Sequence, residues 1–381
     1  MRKFGLATYL TLAAFAAAPL VAATLTDESR AMLQAKKLNP SVLDGLDAEL
    51  AVPQAWVDGA RKEGALRIRM SAGDRQMANV VKVFRARYPF VDAEYTQARG
   101  RELLIVPLLA FKQGTFVSDM IGDFNGTQEQ FAEAGALTSM RDLPGWKNVP
   151  DAYKRSDGFA VGWKIAHYCT AYNTERVKPA DLPKTWDELL TNARWGNRTV
   201  AVTSRPHLWL SEIWGVNGDQ WLASFQDRLF GTWRPQLRKE SGSALTKMLA
   251  LNEFDLALPI PEFAAYLEVR RGAPVGYHCP EPVPTQTGPL SVLKGAPNPN
   301  AGRLFINWLI SKEGQIAVNT YIGTIPVHKD LQRAEFYPFP ETMMGRKMAP
   351  QTDAVLARQS AIMADWNKRW IGAGGEAQQG Q

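Results

Sequence analysis

The chain has 381 residues, 45% of them hydrophobic and 22% charged, with two cysteines and a formal net charge of +6. That length is too great for one ordinary core and suits two lobes, and the hydrophobic content is that of a globular protein. A mild positive charge with no dense Lys/Arg block and no recognition motif argues against a nucleic-acid partner.

Residues 1–23 carry a compartment signal. Arg2 and Lys3 precede an apolar run from Phe4 to Val21, and Val21-Ala22-Ala23 supplies small or branched residues for a peptidase. This is the order of a secretory leader cut after Ala23; the rival, a membrane anchor, needs a longer run and no cleavage site directly after it. Removing Arg2 and Lys3 takes the net charge from +6 to +4. No later stretch is apolar enough to span a bilayer. In an oxidising compartment Cys169 and Cys279 are expected to form a disulfide, two buried free thiols being the alternative.

Residues 24–53 read as a short helical arm of no evident role. A helix over Pro53–Glu63 stops at Gly64, and Leu66–Met70 alternates as a strand. A turn at Ser71–Asp74 leads to a helix over Gln76–Tyr88, ended by Pro89, then a strand over Val91–Tyr95. Arg99-Gly100-Arg101 opens a helical segment kinked at Pro107, and Val117–Ile121 is a third strand. Gly162–Thr174 is rich in β-formers. A second unit follows: a strand over Thr199–Thr203, a helix over Ala244–Leu251, and a short strand over Asp255–Leu258 broken by Pro259 and Pro261. Pro280–Pro289 is proline-rich and extended, Leu290–Lys294 a strand and Asn300–Ile310 a helix. Strands alternating with helices predict an α/β fold with a mainly parallel sheet.

Several segments resemble one family in their order. Ala60-Arg-Lys-Glu-Gly64 precedes the first strand, and Val161-Gly-Trp163 and Ala171-Tyr-Asn-Thr174 belong to the β-rich stretch between the two units. Pro183-Lys-Thr-Trp-Asp-Glu-Leu-Leu190 with Trp195-Gly-Asn197 precedes the first strand of the second unit. Lys294-Gly-Ala-Pro-Asn-Pro-Asn-Ala301 and Leu304–Gln315 form a longer signature. Together they resemble the bacterial extracellular solute-binding proteins of ABC transporters, related to the ferric-iron binders with the type II periplasmic binding fold. The resemblance covers roughly residues 53–330. It implies two lobes around a cleft: 54–175 with 288–381 as lobe one, 176–280 as lobe two, and 281–287 as the second crossing.

Ligands of open α/β sheets bind beyond the carboxyl ends of strands, against helix N-termini. That rule selects Ser71, Ala72 and Gly73 after the first strand; Arg99, Gly100 and Arg101 before a helix; and Asp123 and Asn125 after the third strand. In the second unit it selects Ser204, Arg205 and His207, then Ser241, Gly242 and Ser243 at a helix start, and Glu262 with Tyr266. For Ser241–Ser243 plain N-capping is an equal alternative. The family's ferric members use adjacent tyrosines, and no such pair occurs here. His167, His207, His278 and His328 form no metal-spaced motif, so neither metal nor cofactor is expected.

The sequence therefore reads as a periplasmic, monomeric solute-binding protein that delivers a small, anionic organic solute to a membrane permease. A cationic amine held by Glu262, ferric iron, and a carrier role for a sensor stand as alternatives. Enzymatic activity is not expected, since the chain lacks a G-x-S-x-G elbow, H-E-x-x-H and a phosphate loop.

Overall fold

A computed structural model describes residues 24–376 apart from Gly126 and Asn197. The expected leader, residues 1–23, lies outside the described residues. Among the described residues no helix is long and apolar enough to cross a membrane.

Among the described residues ten strands are joined in one mixed sheet: β1 (Ala65–Met70), β2 (Asp92–Gln97), β3 (Met120–Gly122), β4 (Val161–Asn173), β5 (Val200–Thr203), β6 (Gln236–Arg238), β7 (Leu256–Pro261), β8 (Val275–His278), β9 (Val283–Val292) and β10 (Met348–Pro350). Their order is β2-β1-β3-β9-β4-β7-β5-β6, with β10 on β9 and β8 on β4. β1 is parallel to β2 and β3 in the first unit, and β5 is parallel to β6 and β7 in the second. The long strands β4 and β9 run antiparallel between the units. Each parallel pair requires a helical crossover, which supplies the helices covering the sheet.

Most helices and strands fall where the apolar periodicity puts them. Gly64 ends the helix Gln54–Glu63 in the left-handed region at φ +67°, a conformation that costs glycine nothing. Pro107 splits its segment into Arg101–Leu104 and Val106–Lys112, because proline cannot donate into the preceding turn. β3 is shorter than expected and displaced, beginning at Met120 rather than Val117.

Three expectations are corrected. Pro259 and Pro261 do not break their strand: β7 continues to Pro261, and Pro259 falls where the β4 register shifts between Cys169 and Ala171, so no ladder bond is lost there. Pro280–Pro289 and Leu290–Lys294 are not two segments, since β9 runs unbroken from Val283 to Val292. The helix Asp353–Gly372 lies against the second unit rather than lobe one. Its Ile362, Trp366 and Trp370 are buried with Trp209 and Phe225, the Trp366 ring 6.2 Å from that of Trp209. Burial of each such side chain stabilises this docking by about 1.5–3 kcal/mol.

The N-terminal arm has a definite structural role. Its helix Asp27–Ala35 buries Met32 and Leu33, and Ser29 donates to Glu313 Oε1, the carboxylate that also pairs with Arg87. Glu49 accepts from the Lys312 amide at 2.8 Å and from His328 Nε2 at 3.1 Å, so the arm is fixed to the helix Lys312–Tyr321.

Cys169 on β4 and Cys279 just past β8 are joined, with Cα atoms 4.9 Å apart. The bond ties β4, where it enters the second unit, to the segment past β8 by which the chain leaves that unit, and it closes a separation of 110 residues. Thiol titration of denatured, unreduced protein should find no free thiol. Reduction should then lower the unfolding free energy by about 2–5 kcal/mol in urea; two titratable thiols before reduction would contradict the bridge.

Candidate functional site

A cavity of about 220 Å³ opens between the two units at the carboxyl ends of β1, β3 and β5. Ser71, Asp123 and Asn125 face it from the first unit, His207 and Leu208 from the second. Lys164, Ala166 and Tyr168 of β4 and Gln286, Thr287 and Gly288 of β9 form its back, and Gln351 and Gln359 close the side. The alternation of β4 explains its share, since residues two apart lie on one face of a strand.

Asp123 organises the first-unit wall. Its Oδ2 accepts from the Ser71 amide at 3.2 Å and the Ser71 hydroxyl at 2.7 Å; its Oδ1 accepts from Trp163 Nε1 at 3.0 Å and pairs with Lys164 Nζ at 3.2 Å. Asp123 holds a left-handed backbone at φ +60°, a strain of the kind that surrounding contacts must enforce. Gly288 makes room for this cluster: a Cβ there would stand 2.3 Å from Asp123 Oδ1 and 2.4 Å from Trp163 Nε1.

Amide side chains bridge the two units. Asn125 donates at 3.0 Å both to the Thr287 carbonyl and to Gln351 Oε1. Gln351 donates to Glu212 Oε1 at 3.3 Å, and Gln286 donates to the same oxygen at 2.8 Å and to the His207 carbonyl. Glu212 is fully buried, and burial pushes its carboxyl up to about 8 despite these hydrogen bonds. Glu262 behaves alike: it accepts from the His167 amide at 2.8 Å and is pushed up to about 8 by burial. Burial, followed by the Arg205 charge, lowers His207 to about 4. Tyr168 is raised above the usual phenol range by burial and then by Glu262, Asp123 and Glu212, with Arg205 opposing.

The sequence-derived candidates divide into groups. Ser71, Asp123, Asn125 and His207 meet in the cavity wall, and Arg205 stands close enough to bias both Tyr168 and His207. Ala72 accepts the Tyr95 hydroxyl through its carbonyl, and Gly73 caps the helix Asp74–Arg87. Ser204 is buried behind the wall, its amide bonded to the Arg238 carbonyl. Arg99, Gly100 and Arg101 are exposed and outside the cavity. Ser241 accepts from the Ala244 amide as an N-cap, Gly242 packs near Pro261, and Ser243 is exposed. Tyr266 lines a separate groove. Sequence reading did not select Lys164, Tyr168, Gln286, Gln351 or Gln359. A lysine inside an otherwise apolar β-run was the one available signal, because the others come from segments whose packing is set by distant residues.

One trio of metal-type ligands converges among the described residues: Glu49, His328 and Asp330. Lys312 Nζ already occupies that neighbourhood, 3.7 Å from Glu49 Oε1 and 3.3 Å from Asp330 Oδ2, so the trio is an ion-pair network.

Comparison with solved structures shows the same fold. The substrate-binding protein of an ABC transporter from Agrobacterium tumefaciens superposes with a TM-score of 0.65 at 17% identity, covering 80% of this chain and 94% of that one. Iron-bound HitA from Pseudomonas aeruginosa gives 0.66 at 18%, covering 79% and 99%. AfuA from Actinobacillus pleuropneumoniae, with exogenous fructose-6-phosphate bound, gives 0.64 at 19%, covering 80% and 98%. No curated protein matches the sequence significantly. The family model for bacterial extracellular solute-binding proteins matches residues 108–344, more than half of the chain. With its two-lobed α/β fold, the chain belongs to the bacterial extracellular solute-binding protein family, whose members bind solutes rather than transform them.

Proposed function

We propose that this protein is the periplasmic solute-binding component of an ABC importer and holds a small anionic organic solute in the cavity between its lobes. The observation that carries this reading is the charge balance of the wall. Asp123 is neutralised by Lys164 and three further donors. Burial raises Glu212 and Glu262 to about 8 and, with the Arg205 charge, lowers His207 to about 4, which favours the neutral form of all three near pH 7. Arg205, beside the cavity rather than among its lining residues, is the nearby charge without an acidic partner among the described residues. Its planar fork suits a carboxylate, sulfonate or phosphate. The sugar phosphate bound by AfuA is an anion of this kind, whereas the iron of HitA needs hard anionic oxygens. Here Tyr168 is held as a neutral phenol, and the matching stretch offers no tyrosine pair.

In this reading lobe one comprises residues 54–175 and 288–352, and lobe two comprises 176–280 with the C-terminal helix. Closure of the cleft on solute presents a changed surface to the permease.

Calorimetry with a panel of carboxylates, sulfonates and sugar phosphates should identify a ligand whose binding weakens by about 2–5 kcal/mol in Arg205→Ala. Unchanged affinity in that variant would remove the anion assignment and move weight to an amine.

The same charge balance predicts a pH dependence of stability. Between pH 6.5 and 8 the unfolded chain has released the two protons that folded Glu212 and Glu262 still hold, so unfolding free energy should fall as pH rises through that window. Each group contributes at most on the order of 1.4 kcal/mol per pH unit. Below pH 6.5 His167 and His207, both lowered to about 4 by burial, act in the opposite direction. Urea unfolding at pH 6.5 and 8 should show a shallower decline in Glu212→Gln than in the wild type. An identical decline would mean that Glu212 is already ionised when folded.

A further inference from the structure

A second groove, of about 560 Å³, lies between the N-terminal segment, the end of the helix Lys312–Tyr321 and the helix Glu262–Val269 of the second unit. Its size falls in the range of small-molecule sites, about 300–1,000 Å³. Phe263, Tyr266, Tyr321 and Tyr337 give it aromatic walls. Lys36 and Lys37 enter from the N-terminal segment, which precedes the family match at 108–344, and Arg270 enters from the opposite side.

These cations lack compensation. Among the described residues none of the three has an acidic partner, while Glu335, the acidic residue in the wall, is paired with Arg333 at 2.7 Å. Burial, and next the Arg270 charge, pull the Lys36 ammonium below its usual range. Lys36 and Arg270 each follow a helix end, where a cation is favourable. That accounts for each cation alone but not for two of them facing each other across one groove. The Arg270 guanidinium also lies 5.9 Å from the centre of the Tyr266 ring. At the base Asn319, 5% exposed, donates to the Thr324 and Phe336 carbonyls and leaves its own buried Oδ1 without a partner.

We propose that this groove is a second binding site, for an aromatic carboxylate whose anionic group bridges Lys36 and Arg270 and whose ring packs against Tyr266 and Tyr321. A donor on the ring would satisfy Asn319 Oδ1. Binding there removes the repulsion between the N-terminal segment and the second unit and draws them together. The proposal is independent of the solute assigned to the Arg205 cavity.

Benzoate and salicylate serve as anionic probes and benzyl alcohol as the uncharged comparison, titrated calorimetrically into the mature protein. Wild type should bind the carboxylates and not the alcohol. Lys36→Gln and Arg270→Gln should each weaken carboxylate binding at least tenfold without lowering the melting temperature, and Arg205→Ala should leave binding intact. Absence of carboxylate binding by wild type would overturn the proposal. So would affinity retained in both groove variants, or affinity lost in Arg205→Ala alone, which would place the probe in the other cavity.

Discussion

The carboxylate of Asp123 is the contact on which the first-unit wall of the cavity depends. Four donors from two segments converge on it: the loop after β1 through Ser71, and β4 through Trp163 and Lys164. The residue reaches them only by adopting a left-handed backbone, and the neighbouring strand must present glycine at 288. Charge-assisted hydrogen bonds of this kind are stronger than neutral ones, which offsets the strain. The consequence is electrostatic as well as structural. A carboxylate that would repel an anion is neutralised within the wall, while Lys164 is placed at the back of the cavity.

The second constraint is the path of the C-terminal segment. β10 adds to β9, Gln351 then spans Asn125 and Glu212, and the final helix buries Trp366 and Trp370 against the second unit. The two units are therefore linked by β4, by β9 and by this third strap. The disulfide fixes β4 to the strand region beside it at the point where the links diverge. In the proposed reading, relative motion of the lobes must reorganise the Asn125–Gln351–Glu212 bridge. These amides then serve as polar partners for a solute and as the contacts that change when it binds.

Local pattern made much of the scaffold legible. The alternation at Leu66–Met70, the helical spacing at Met77, Val80, Val81 and Phe84, and Gly64 as a stop all have local causes, and each appears in place. Strand-end logic selected Ser71, Asp123, Asn125 and His207, which the structure places together in one cavity wall, because loop position follows from strand position. It also selected Arg99 and Arg101, since sequence does not reveal that the loop before the short helix and the helix start leave both exposed. The strand through Pro259 depended on a register shift in β4, and the docking of Asp353–Gly372 on Trp209 and Phe225; both are long-range facts. Glu212 was missed for the same reason. A glutamate in an amphipathic helix reads as solvated, and only packing against Gln286 and Gln351 shows that it is buried and uncharged.

The central claim is that the protein carries an anionic organic solute between its lobes. Native mass spectrometry of protein isolated without denaturation from its native source tests this most directly. The account predicts one co-purifying small molecule that bears a carboxylate, sulfonate or phosphate and is absent from Arg205→Ala. A bound ferric ion, or a cationic amine retained in that variant, would contradict it.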